Sequence, residues 1–170
     1  MNTQKIASAT DVTLTPADIL KHWQGHRTLT RRVIEAIPEE ALFTHSIGGM
    51  RPFAELAMEL NRMAAPGAHG VVTGEWKELD VFAKEQGMDA SPKTKEGILK
   101  LWDWATAHIY EVWGQLKPDR FQEDDVAFGL YDGKVWWICM YLIDNEIHHR
   151  GQGYVYLRSL GIEPPPFWER

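Results

Sequence analysis

The chain of 170 residues has one cysteine and no run of basic side chains. Cys139 cannot form an internal disulfide, and its apolar neighbours favour a buried thiol in a reducing compartment, which predicts a cytoplasmic protein. The formal net charge is −6, whereas contacts to phosphates need a concentrated Lys/Arg surface. Nucleic acid is therefore not expected as a partner.

Neither disorder nor a membrane-spanning chain is expected, because 44% hydrophobic and 25% charged residues are close to the averages of globular proteins. Residues 1–14 are polar, lack the apolar stretch of a signal peptide and are predicted to be an N-terminal tail. Residues 15–170 are predicted to form one domain, which is long enough to bury a core without disulfides or a structural metal.

Four amphipathic patterns, separated by breaks rich in proline and glycine, predict four helices. They extend over residues 15–37, 52–67 (with a continuation to 73 left open), 91–113 and 135–160. The polar connection over residues 75–90 has room for a short helix and suits a crossover. A brief extended segment fits residues 126–130. Four such helices with one long connection predict an all-α four-helix bundle.

Polar side chains interrupt the apolar stripes of two of these helices. In the fourth helix, the stripe that contains Ile138 and Leu142 continues by helical spacing through Asn145 and His149. In the second helix, Glu59 stands where the core pattern favours an apolar residue. These three side chains are therefore predicted to face one another between the two helices.

A carboxylate, an amide oxygen and an imidazole form a donor set for a divalent transition metal such as Zn, Ni or Fe. Two readings without a metal remain open: hydrogen-bonded polar residues in the core, and an ion pair between Glu59 and His149. Glu146 and His148 project about 100° around the helix from Asn145 and His149, respectively. We expect them on the surface or as groups that support the ligands.

The remaining histidines and the aromatic residues carry weaker signals. His22 and His26 are spaced by four residues, but charged neighbours favour a solvated face for both. Arg150 is expected at the rim or the surface. The aromatic residues of the last helix, which include Trp136 and Trp137, are expected to fill the core and to form a dimer surface.

One string of residues resembles a known family. His-His-Arg-Gly-Gln at 148–152, followed by Tyr-Leu-Arg at 156–158, by Gly161 and by prolines at 164–165, is similar to the last helix of the DinB-like (DinB/YfiT) superfamily. Residues 53–60 resemble its second helix, and Gly-Glu-Trp at 74–76 resembles the segment that follows. The resemblance spans most of the chain.

The resemblance implies a four-helix bundle with a long crossover, commonly a homodimer, that holds a divalent metal with three histidines. One of these comes from the second helix and two, four residues apart, come from the fourth. The corresponding positions here are Glu59, Asn145 and His149, so only His149 keeps the residue type of the family. These replacements are compatible with two alternatives. The first is a metal site remodelled with oxygen donors, and the second is a polar pocket that has lost its metal.

Two functions follow from the resemblance. The first is a metal-dependent enzyme, of the hydrolase or thiol S-transferase type, that acts on an unidentified small molecule. Its metal would activate a water or a thiol, and His148 or Glu146 would move the proton if either side chain faces the site. The alternative is a dimeric module without catalysis, which binds a ligand or keeps the pocket only as a structural remnant.

Overall fold

The computed structural model describes residues 14–170, so all of the predicted tail except Leu14 lies outside the described residues. Six α-helices and one hairpin form most of this part of the chain. They are α1 (Pro16–Ala36), α2 (Glu39–Thr44), α3 (Phe53–Thr73), α4 (Leu79–Glu85), α5 (Lys95–Trp113), β1 (Asp124–Ala127), β2 (Tyr131–Lys134) and α6 (Val135–Ser159). A 3-10 helix, Pro118–Gln122, precedes the hairpin. The predicted all-α fold is confirmed.

The ends of the long helices follow capping chemistry. The Thr15 hydroxyl accepts a hydrogen bond from the Asp18 backbone N–H at 3.2 Å, and the Asp18 carboxylate accepts one from the Thr15 N–H at 3.0 Å. This reciprocal pair is a capping box at the start of α1. At the end of α6, Gly161 has φ 73° and the Ile162 N–H bonds to the Leu157 carbonyl at 2.9 Å. That pattern is a Schellman motif, which stops the helix there.

Helix α3 is longer than the interval 52–67, because it continues without a break through Pro66 to Thr73. A proline inside a helix removes one hydrogen bond and disfavours the preceding turn, at a cost of about 3 kcal/mol. Packing on both sides of Pro66 opposes this cost: Ala65 and Ala68 are fully buried, and Leu142 of α6 lies against Gly67, where a Cβ atom would approach it to 2.7 Å. The continuation of the helix is thus stabilised by tertiary contacts.

The four long helices form the predicted bundle. Helices α1 and α3 each pack against both α5 and α6. The crossover between α3 and α5 contains α4, as the polar stretch allowed, and the antiparallel pair β1–β2 leads directly into α6. Within residues 14–170, no helix combines the length and the apolar character that a bilayer span requires.

Candidate functional site

Glu59 on α3 and His149 on α6 are in direct contact. His149 Nε2 lies 2.9 Å from Glu59 Oε1. The His149 side chain is 11% exposed and the Glu59 side chain 28% exposed, so the contact lies at the edge of the bundle core. Leu142 and Tyr156 are buried before and after it along α6, which is the environment that the interrupted stripe predicts.

The second nitrogen of the His149 ring is also engaged. His149 Nδ1 lies 2.7 Å from the side-chain oxygen Oε1 of Gln152. An amide oxygen only accepts hydrogen bonds, so Nδ1 carries the ring hydrogen and donates it. In a neutral imidazole, Nε2 then presents a lone pair towards the Glu59 carboxylate. Two acceptors at 2.9 Å repel each other unless a proton or a cation lies between them.

Arg51 binds the other oxygen of the Glu59 carboxylate. Its Nη2 atom lies 2.5 Å from Oε2, and the Arg51 side chain is 48% exposed. Burial by itself would raise the pKa of Glu59, but the hydrogen bond and charge of Arg51, together with the contact with His149, outweigh that effect and leave the pKa lowered. Glu59 is therefore a carboxylate at neutral pH, with Oε2 engaged by Arg51 and Oε1 directed at His149.

Asn145, one turn before His149, contributes an amide with an unused acceptor. Its Nδ2 group donates to Met63 Sδ at 3.0 Å. Its oxygen Oδ1 is buried and has no hydrogen-bond partner. A buried acceptor without a partner costs about 1–3 kcal/mol, so this oxygen is available to a ligand that is not part of the chain.

The two residues predicted beside the ligands lie on opposite sides of α6. His148 is exposed, and its ring packs edge to face against the His149 ring at a centroid distance of 5.0 Å. Glu146 is 2% exposed and turns towards α1 instead. There it accepts a hydrogen bond from the Thr30 hydroxyl at 2.7 Å and lies 3.6 Å from Arg27 Nη1. A surface position for Glu146 is thereby excluded.

His26 and Arg150 do not lie where the sequence predicted. His26 was expected on a solvated face, and Arg150 was expected at the rim or the surface. Both are buried, with exposures of 2% and 7%, and Arg150 Nη1 donates to His26 Nδ1 at 2.9 Å. Burial, followed by the charge of Arg150, lowers the pKa of His26 to about 3, so this histidine is neutral at physiological pH.

The sequence contained a signal for the buried polar cluster that His26, Arg27, Thr30, Glu146 and Arg150 form between α1 and α6. The apolar stripe of α1 runs from Trp23 to Val33, and helical spacing places Arg27 and Thr30 on it. Arg27 and Thr30 therefore interrupt the apolar stripe of α1 in the same way as Glu59 and Asn145 interrupt those of α3 and α6. The charged neighbours of His26 favoured an exposed position for it, because a charged side chain in a helix usually lies in solvent.

The set of possible metal ligands is mixed. Among residues 14–170, no group of three His, Cys, Asp or Glu side chains is arranged to hold a metal ion. A site at Glu59 and His149 would take its third donor from the Asn145 amide. Hard oxygen donors beside one imidazole suit a first-row divalent ion, and the unpartnered Oδ1 fits this role.

The sequence matches the DinB family over residues 10–170. The chain belongs to the DinB family. Two crystal structures are similar to this DinB-family protein. A DinB-like protein from Bacillus subtilis (YjoA) has a TM-score of 0.69 at 20% identity and covers 89% of this chain and 99% of its own. A DinB-like protein from Bacillus cereus has a TM-score of 0.66 at 18% identity, with 88% and 95% covered. These likenesses show a shared fold. A comparison with curated proteins gives no match.

Proposed function

We propose that this DinB-family protein is a divalent-metal-dependent enzyme, of the hydrolase or thiol S-transferase type, with Glu59, Asn145 and His149 as the metal ligands. One observation carries the proposal: His149 Nε2 and Glu59 Oε1 lie 2.9 Å apart while Nδ1 is held by Gln152, so the two atoms repel each other when the imidazole is neutral. A divalent transition ion such as Zn, Ni or Fe would convert that repulsion into two bonds.

The surroundings of the three ligands support this proposal. Metal-binding histidines usually donate their other ring N–H to an oxygen, as His149 does to Gln152, and this contact fixes both the tautomer and the orientation of the ring. Arg51 holds Glu59 Oε2 and leaves Oε1 free for the ion. The Met63 contact fixes the amide of Asn145 with its oxygen unpartnered.

When bound, the ion would lower the pKa of a water or thiol on it and so supply a nucleophile at neutral pH. The chain contributes orientation and a route for the proton. Glu146 is enclosed against α1 and does not serve this route. The exposed ring of His148, which packs on His149, is the remaining predicted group and would pass a proton to solvent.

Elemental analysis tests the proposal. The protein is purified without a histidine tag, and its metal content is measured by inductively coupled plasma mass spectrometry before and after incubation with Zn, Ni or Fe and desalting. We expect about one ion per chain in the wild type and near zero in His149→Ala. His148→Ala is the matched control, since it removes the neighbouring exposed imidazole, and it should retain the ion. Equal metal content in His149→Ala and the wild type contradicts the ligand assignment.

A module without catalysis is the second candidate, and the Arg51 contact favours it. Arg51 already neutralises part of the Glu59 charge, and a proton between His149 Nε2 and Glu59 Oε1 would complete an ion pair without metal. This reading predicts metal-free protein and a stability that a chelator does not change. The enzyme reading predicts a lower melting temperature after chelation, because a bound ion stabilises only the folded state.

We further propose a cytoplasmic homodimer. Cys139 is a free, fully buried thiol, which suits a reducing compartment. Trp136 and Trp137, at the start of α6, are 44% and 43% exposed, and Trp137 stacks on Tyr141. Aromatic residues are enriched at protein interfaces. Sedimentation equilibrium should give a dimer for the wild type and a monomer for Trp137→Glu, and a monomeric wild type contradicts this proposal.

A further inference from the structure

A cavity of about 370 Å³ opens beside the first half of α3. Arg51 and Glu55 lie at the start of this helix region, Met58 and Arg62 follow at helical spacing, and Phe43 from α2 and Lys93 from the segment before α5 complete the wall. The volume lies within the range of about 300–1,000 Å³ that is usual for small-molecule sites. Its place between three parts of the chain makes it a separate feature from the contact between α3 and α6.

The charged groups of this cavity are mainly cationic. Arg51, Arg62 and Lys93 line it together with a single carboxylate, that of Glu55, although the whole chain has a net charge of −6. Within residues 14–170, neither Arg62 nor Lys93 has a carboxylate within 4.0 Å, whereas Arg51 pairs with Glu59. Two cations without ion-pair partners therefore border the same cavity, and an anion there would be attracted to both.

Apart from Ser91, the rest of the wall is apolar. Met58 is buried, and the half-buried ring of Phe43 lies on the α2 side of the cavity. A site that joins apolar walls to a few charged groups binds the body of a ligand by burial and fixes its orientation through the charges. Arginine also accepts carboxylate and phosphate groups through paired hydrogen bonds.

We propose that this cavity binds a small amphipathic anion, with a phosphate or carboxylate head near Arg62 and Lys93 and an apolar body against Phe43 and Met58. The proposal does not depend on a metal at Glu59 and His149. Arg51 links the two places, since it lines the cavity and also holds the Glu59 carboxylate. A ligand in the cavity would therefore lie next to the candidate metal site.

Isothermal titration calorimetry on the full chain, with EDTA and at low salt, tests the proposal. Hexyl phosphate and heptanoate are the amphipathic probes. Inorganic phosphate represents the anionic head alone, and 1-hexanol represents the apolar body alone. We expect at least one of the two amphipathic anions to bind roughly tenfold more tightly than either component, because charge and burial act together.

The double variant Arg62→Gln/Lys93→Gln should weaken that binding by roughly tenfold. Arg158→Gln/Lys100→Gln is the matched control, since it removes two exposed cations elsewhere and should change the affinity by less than about twofold. Circular dichroism verifies that both variants are folded. Absence of binding by both amphipathic anions overturns the proposal. So does an equal loss of affinity in the two double variants, which would indicate attraction by overall charge.

Discussion

The substitution Glu146→Gln tests the buried polar cluster between α1 and α6. Glu146 is 2% exposed and lies 3.6 Å from Arg27, which is fully buried. Burial lowers the pKa of Arg27 to about 10, and Glu146 opposes that shift. Arg27 therefore remains charged at neutral pH in the wild type. The substitution keeps the shape of the side chain and an acceptor for Thr30, but it leaves the guanidinium without its counter-charge.

Removal of one partner from a buried ion pair costs about 3–5 kcal/mol. Arg27 keeps a hydrogen bond to the Trp102 carbonyl at 3.1 Å, another to the Thr106 hydroxyl at 3.1 Å, and a cation–π contact with the Trp102 ring at 3.3 Å. These contacts favour the lower end of the range, about 3 kcal/mol. For a domain of this size, that loss lowers the melting temperature by roughly 6–12 °C.

Urea unfolding at pH 7, followed by circular dichroism, measures the change. Glu111→Gln removes the same charge from an exposed position of α5 and is the matched control, with an expected change within about 0.5 kcal/mol. In an Arg27→Met background, Glu146→Gln should cost less, because the Arg27 charge is absent and only the attraction between Glu146 and the buried Arg150 is lost. A loss below about 1 kcal/mol for Glu146→Gln in the wild-type background refutes the reasoning.

Three further predictions concern acid stability, thiol access and helix packing. The pKa of Glu59 is lowered from its ordinary 4.5 in the folded state. The stabilising contribution of the Glu59 carboxylate is therefore complete above pH 4.5 and is lost as the pH falls further. The difference in unfolding free energy between metal-free wild type and Glu59→Gln should shrink from pH 6 to pH 3. Burial raises the pKa of Cys139 to about 12, so the thiol should react with Ellman's reagent only after unfolding in urea, and rapid labelling of native protein would contradict its burial. Gly153→Ala should lower the free energy of unfolding by about 1–3 kcal/mol, because the new Cβ would lie 2.6 Å from the Phe53 ring. In the control Gly151→Ala, the new Cβ meets no atom within 4 Å. This control should be neutral or slightly stabilising in urea unfolding.

The bundle was predictable because its long helices carry amphipathic patterns between clear stop signals. The length of α3 was not predictable, because the sequence shows only the local effect of Pro66, which is to break a helix. The packing of Ala65, Ala68 and Gly67 that opposes the break is a property of the assembled bundle. Local sequence rules therefore left the end of this helix open between residues 67 and 73, and tertiary contacts decide it.

The sequence also identified a pair that meets in the structure, Glu59 and His149, because polar groups on an apolar stripe need a partner. It did not reveal which partner Glu146 has. That depends on the facing residues of α1, where Arg27 and Thr30 interrupt a third apolar stripe. The contact of Gln152 with His149 Nδ1, which fixes the tautomer, likewise depends on side-chain orientation and cannot be read from spacing.

Anomalous X-ray scattering shows directly whether a metal ion binds between Glu59, Asn145 and His149. Crystals of the protein are grown with Zn, Ni or Fe, and data are collected on both sides of the absorption edge of the ion. We expect one anomalous peak per chain, bonded to Glu59 Oε1, Asn145 Oδ1 and His149 Nε2. Absence of a peak there, with Nε2 and Oε1 still about 2.9 Å apart as in the metal-free contact, would contradict it.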